Sequence, residues 1–285
     1  MKPAPFEYHR PASVDEALAL LAEHGYDAKL LAGGQSLVPA MNFRLAQPAV
    51  LIDLNRVAGL DGIGEAEGGV RIGAMARQRA AERSPLVAAR APLLAETLPY
   101  VAHAQIRNRG TVGGSIAHAD PAGEIGAVML ALGARFHLRG PGGTRAVEAA
   151  EFFTGLFGTA LEAEEMLVEA EIPPAAPGTG WAFDEVSRRH GDYALAGLAA
   201  AVEVDAAGRC TAARIALFGV GDGRVLAAEA GAALVGQAPT EDAVRAAADA
   251  AAQRDVDPPA DIHATADYRR RLTEVLVRRV LPEAF

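Results

Sequence analysis

The sequence predicts an α+β fold laid out as three consecutive units, and three observations carry that prediction. At 285 residues the chain exceeds one typical domain. A proline- and glycine-rich segment, "PPAAPGTG" at 173–180, is its clearest linker. Beyond that linker, strand-like segments run first and helix-like segments follow, the order expected of an α+β unit.

The first unit spans residues 1–58. Ser13 and Glu16 form a capping box ahead of apolar residues at helical spacing, and Gly25 can stop the helix, so 13–25 is helical. "AKLLAG" then reads as a buried strand ending in Gly33-Gly34, "SLVPAMNFRL" as a short helix and "AVLIDL" (49–54) as a strand. The second unit, 59–175, opens on the strand "GVRIGAM" (69–75) and continues through helices in "ARQRAAERS" and "PLLAETLPYVAH". A glycine-rich stretch (107–124), the apolar helix "IGAVMLALG" and the strand "ARFHLR" come next, and "AVEAAEFFTG" and "EEMLVEAEIP" finish the unit near Pro173. In the third unit, 176–285, "GWAFDEVSRR", "ALAGLAAAVEVD" and "CTAARIALFGVG" are three antiparallel strands. Helices in "TEDAVRAAADAAAQ" and "ATADYRRRLTEVLVRRVL" follow them.

Composition narrows the function. Apolar residues make up 51% and charged residues 22%, an ordinary globular balance. The formal charge is −9 with scattered basic residues, which argues against nucleic acid, whose binding needs a clustered basic face. The densest basic group, Arg269, Arg270, Arg271, Arg278 and Arg279, reads as a solvated or subunit-facing helix stripe. The single cysteine, Cys210, forbids an internal disulfide or a cluster ligated by cysteines of this chain alone, and its strand context makes it a small buried hydrophobe. The first residues resemble neither a signal nor a transit peptide, and no window of eighteen apolar residues occurs, so a cytoplasmic protein without a membrane span is expected.

Two bare-backbone stretches stand out, "LLAGGQSLVP" (30–39) and "RNRGTVGGSIAHADPAGE" (107–124). A backbone without Cβ atoms can turn sharply and present consecutive N–H groups to an anion. Two such turns can hold a pyrophosphate from both sides, with Ser36, Thr111 and Ser115 adding hydroxyls. Neither turn matches the phosphate-loop or dinucleotide fingerprints, and "GVGDG" (219–223) has the wrong spacing and reads as a strand end. Either glycine pair alone is most simply a tight turn; the conjunction is the specific signal.

Those turns, together with "RRHGDYAL" (188–195), resemble the flavoprotein subunits of molybdenum hydroxylases, most closely the medium subunits of aerobic carbon monoxide dehydrogenases and their bacterial relatives. The resemblance covers essentially the whole chain. It implies a two-part FAD-binding domain of the vanillyl-alcohol-oxidase (PCMH) type, followed by a C-terminal α+β domain with a three-stranded antiparallel sheet and helices. It implies bound FAD, with the pyrophosphate on the backbone of Ala32, Gly33, Gly34, Gln35 and Ser36. Thr111, Val112, Gly113, Gly114 and Ser115 would lie against the pyrophosphate and ribityl chain, with Glu124 near the ribityl and ribose hydroxyls. Met166 and Leu167 match a position touching the adenine or the ring system, and Tyr193 an aromatic near the isoalloxazine. Gln35 stands where some relatives carry histidine, and Asp184 where animal relatives carry a lysine near the flavin. The implied partners are a small [2Fe–2S] iron–sulfur subunit, a large molybdopterin subunit and an external electron acceptor. The implied activity is electron transfer from the clusters to that acceptor, in a heterotrimer or its dimer. A self-sufficient FAD oxidase or reductase of the same fold and a flavin-less structural subunit are the alternatives.

Other polar candidates have plainer readings. His118, Asp120 and Glu124 are ligand types, but a glycine- and proline-rich loop gives them no common face, so no metal is expected. His103 is a helix cap, a flavin-edge residue or a half-buried histidine, and Arg107 and Arg109 hold loop carbonyls, a partner subunit or, as the lesser alternative, a phosphate. No Ser-His-Asp or Cys-His set is defensible, nor a covalent flavin attachment point.

Overall fold

The computed structural model describes all 285 residues. Three sheets organise it. In the first, β1 (Glu7–His9), β2 (Ala28–Leu31) and β3 (Val50–Asp53) pair in parallel in the order β1-β3-β2. Central β3 is buried at every position, as a continuous apolar run should be. The helix Val14–His24 covers this sheet through Ala17, Leu18 and Leu21. Ser13 Oγ accepts from the Glu16 N–H at 3.2 Å, while the Glu16 carboxylate reaches one residue further back than a standard box, to the Ala12 N–H at 2.7 Å.

The second sheet is antiparallel and takes β4 (Ile63–Ala66), β5 (Gly69–Gly73), β6 (Arg135–Gly140) and β7 (Gly143–Glu148). A two-stranded hairpin, β8 (Phe153–Gly155) with β9 (Gly158–Thr159), precedes its central strand, β10 (Met166–Ile172), in the order β4-β5-β10-β6-β7. The helix Glu124–Ala131 is buried from Ile125 through Ala131, apolar on all sides because it lies between this unit and the C-terminal sheet.

The third sheet orders β11 (Thr179–Ser187), β12 (Ala194–Val204), β13 (Cys210–Phe218) and β14 (Val225–Leu226) antiparallel, adding a two-residue edge strand to the three expected. β12 is buried from Ala194 to Val202 because both of its faces are covered. Ala199 joins the core around helix Glu124–Ala131, while Leu198, Ala200 and Val202 join the core beneath the helices Ala228–Leu234, Glu241–Ala250 and Ala266–Val280. One arginine leaves the expected basic stripe. Arg269 is buried and donates to Leu195 O at 2.6 Å, Gly219 O at 3.0 Å and the Asp261 carboxylate at 2.6 Å.

Candidate functional site

The two glycine-rich stretches meet. A Cβ placed on Gly33 would lie 2.5 Å from Arg109 O and 2.7 Å from Gly110 Cα, so the first turn packs directly on the backbone leading into the second. A Cβ on Gly114 would lie 2.5 Å from Thr111 Oγ1 and 3.4 Å from Ala32 Cβ. Gly34 turns the chain with φ +75°, a conformation L side chains rarely adopt.

They differ in what their N–H groups do. The N–H groups of Ala32, Gly33, Gly34, Gln35 and Ser36 have no acceptor within the chain. Ser36 caps the short helix Leu37–Asn42 without a side-chain cap bond, so its hydroxyl is also uncommitted; the Gln35 amide donates to Gly33 O at 3.1 Å. The second stretch is not a bare loop. Thr111 caps a helix, Val112–His118, its hydroxyl accepting from the Gly114 N–H at 3.0 Å. Val112 N–H donates to Ala76 O at 2.9 Å, Gly113 to Ala74 O at 3.0 Å and Ser115 to Thr111 O at 3.2 Å. Only Thr111 N–H is without an acceptor in the chain. Glycine is a poor helix former, but a Cβ on Gly113 would sit 2.5 Å from Ala74 Cα, so close packing dictates the residue. Ser115 Oγ accepts from Gln78 Nε2 at 2.8 Å, leaving Gln78 Oε1 buried without a partner.

Beyond the helix Val112–His118 lies an acidic cluster. Glu124 begins the helix Glu124–Ala131, and burial pushes its carboxyl up to about 7. Glu185, on β11, is pushed up to about 8 by burial and by the neighbouring charges of Glu124 and Asp184, and its Oε2 is buried without a partner. Tyr193, 65% exposed, is raised to about 12 by desolvation and by Asp120 and Glu124. Arg224 balances these acids. Its guanidinium lies 4.3 Å over the Phe153 ring and donates to Gly123 O at 3.2 Å, and burial lowers it to about 10. Two carboxyls held above their ordinary range keep a proton in this cluster near neutral pH.

The remaining candidates divide. Met166 and Leu167 open β10 with both side chains in cores, Met166 in the cluster against which Ala32 packs. Arg107 is buried and holds loop carbonyls as expected, donating to Val101 O at 2.9 Å and Ala102 O at 3.2 Å, and it pairs with Glu82 at 2.8 Å. His103 supplies no side-chain cap and instead lies against Gly191 of the third matching stretch. His118 Nε2 is 3.9 Å from Asp120, its ring 5.2 Å from Phe157. Asp184 pairs with Arg279 of the last helix, so the acid of β11 that joins the cluster is its neighbour Glu185, on the opposite face of the strand. Sequence reasoning also missed Asn55, Arg77 and Arg224, isolated polar residues outside any motif.

A family profile described as "FAD binding domain in molybdopterin dehydrogenase" matches residues 4–175, and one described as "CO dehydrogenase flavoprotein C-terminal domain" matches 181–284. The chain is 45% identical over 285 residues to the carbon monoxide dehydrogenase medium chain of Hydrogenophaga pseudoflava, covering 100% of this chain and 99% of that one. It is 42% identical to the 6-hydroxypseudooxynicotine dehydrogenase complex subunit alpha of Paenarthrobacter nicotinovorans, covering 100% and 96%. The crystal structure of quinoline 2-oxidoreductase from Pseudomonas putida 86 contains a chain that superposes with a TM-score of 0.93 at 42% identity, covering 100% and 98%. No helix is long and apolar enough to cross a membrane. The chain belongs to the FAD-binding flavoprotein subunits of the molybdenum hydroxylase family, that of carbon monoxide dehydrogenase and xanthine dehydrogenase.

Proposed function

We propose that FAD lies with its diphosphate on the first glycine turn, where the N–H groups of Ala32, Gly33, Gly34, Gln35 and Ser36 have no acceptor of their own. That observation carries the assignment. Consecutive unengaged amides in a turn closed by Gly34 form an anion-binding concavity, and the Ser36 hydroxyl adds a donor. Thr111, Val112, Gly113, Gly114 and Ser115 close the other side, through packing and hydroxyls more than through amides. Glu124 accepts from ribityl or ribose hydroxyls, which hydrogen-bond most strongly to its ionised form. Met166 and Leu167 contribute backbone and a buried apolar floor, and the exposed Tyr193 ring covers the isoalloxazine edge. Residues 1–58 and 59–175 form the two halves of the FAD domain and 176–285 the C-terminal domain.

Bound FAD supplies two-electron uptake with release singly or in pairs. The chain supplies position, charge and protons. Its working context is a complex in which a large molybdopterin subunit oxidises the substrate and a small [2Fe–2S] subunit passes electrons toward this chain, which hands them to an external acceptor. A single cysteine, Cys210, buried in β13, agrees with clusters carried elsewhere. The test is direct. Purified alone, the chain is expected to bind FAD and show flavin absorbance while hydroxylating nothing; turnover of a substrate by the isolated chain, or a colourless chain indifferent to FAD, would contradict the proposal.

A further inference from the structure

The two turns approach each other most closely at Gly33 and Gly114. A polar bridge also links them. The Asn55 side-chain amide donates to Ala32 O at 3.0 Å, a carbonyl of the first turn. Its Oδ1 accepts from Arg77 Nη2 at 2.6 Å. Arg77 Nη1 in turn donates to Arg109 O, the carbonyl against which Gly33 packs. The orientation of Asn55 is dictated: Ala32 O can only accept and the guanidinium can only donate, so the amide nitrogen faces the first and the oxygen the second.

The bridge is anchored at its base. The Asn55 backbone N–H donates to Asp53 Oδ1 at 2.8 Å, and the amide nitrogen reaches the same oxygen at 2.5 Å. Asp53 is buried at the end of β3, and its other oxygen accepts from the Tyr8 hydroxyl of β1. The buried aspartate of the first sheet thus fixes Asn55, Asn55 fixes the carbonyl of Ala32 and the guanidinium of Arg77, and Arg77 fixes the carbonyl of Arg109. The first turn is held through the Ala32 carbonyl and the backbone leading into the second through the Arg109 carbonyl, so neither bond uses the N–H groups of the first turn.

We propose that Asn55 and Arg77 are positioning residues for the cofactor, a single strut that sets the separation of the two glycine turns. This rests on the assignment of FAD to those turns. The experiment is a double-mutant cycle on the full-length chain, reading FAD affinity by quenching of flavin fluorescence and the unfolding midpoint of the FAD-free protein. Asn55→Ala and Arg77→Met are each expected to weaken FAD binding about tenfold, and the double variant no more than about threefold beyond the weaker single, because both break one connection. The unfolding midpoint is expected to stay near wild type. Arg77→Lys, which keeps one donor, is expected to recover part of the affinity, and it decides the matter if Arg77→Met fails to fold. Unchanged affinity in either single variant would overturn the strut. So would losses that multiply to about a hundredfold, which would make the two residues independent contacts. A wild-type chain that binds no FAD would instead overturn the underlying cofactor assignment.

Discussion

The two glycine turns look alike on paper and engage their amides in opposite ways. Ala32–Ser36 is half-exposed around a buried Gly33, and its amides are unengaged. Thr111–Ser115 is buried over its first three residues, and four of its five amides are committed to Ala76, Ala74 and Thr111. Glycine serves the first as conformational freedom at Gly34 and absence of bulk at Gly33, and the second as absence of bulk alone, at Gly113. The same residue pair therefore leaves amides unengaged in one place and opens a packed helix in the other. What separates them is whether a neighbouring segment, here residues 74–76, already occupies the amides.

Substitutions can break or sharpen this contrast. The largest effect is expected from Gly33→Val, whose branched side chain would meet two backbone groups, Arg109 O and Gly110 Cα, that cannot move aside cheaply. FAD affinity should fall more than about a hundredfold, measured by flavin retention after desalting; full occupancy would sink the placement of the diphosphate. Gly113→Ala should show a different signature. Overpacking against Ala74 should cost about 1–3 kcal/mol of stability in denaturant titration, while the fraction that remains folded still takes up FAD. Lost FAD binding without lost stability would mean that Gly113 serves the cofactor directly and not by packing on Ala74.

A smaller effect lies at the rim. In the folded chain Glu185 keeps its proton up to about pH 8, against an ordinary value of 4.5 when unfolded. Between those values the folded state carries the extra proton, so stability declines as pH rises through that window. Glu124, raised to about 7, adds to the lower part of the decline. For a half-buried group we expect about 1–2 kcal/mol from Glu185, most of it lost by pH 8. Glu185→Gln, which mimics the protonated acid, should flatten the curve of unfolding midpoint against pH for the FAD-free chain. An unaltered slope would remove Glu185 from the cluster.

Much of this was legible in the sequence, for reasons that also explain the rest. The helix Val14–His24, strands β2, β3 and β5 and the long strands of the third unit announce themselves through capping, apolar runs and bounding glycines. The helix Val112–His118 does not, because Gly113 and Gly114 read as turn residues until Ala74 is seen against them. β1, "EYH", has no apolar alternation and exists only through pairing with β3. Finding Glu185 requires knowing which face of β11 meets the site, and the adjacent acids Asp184 and Glu185 carry no such mark. Asn55 and Arg77 join carbonyls from separate segments, so no local spacing could have paired them. The glycine turns were visible; the polar strut between them was not.

Amide hydrogen exchange on the full chain, with and without FAD, tests the central contrast most directly. The amides of Gly33, Gly34, Gln35 and Ser36 should exchange rapidly without cofactor and become protected when FAD is added, while those of Val112, Gly113, Gly114 and Ser115 should be protected in both states. Amides 33–36 that stay unprotected in the FAD-bound chain, or amides 112–115 that gain their protection only with FAD, would contradict it.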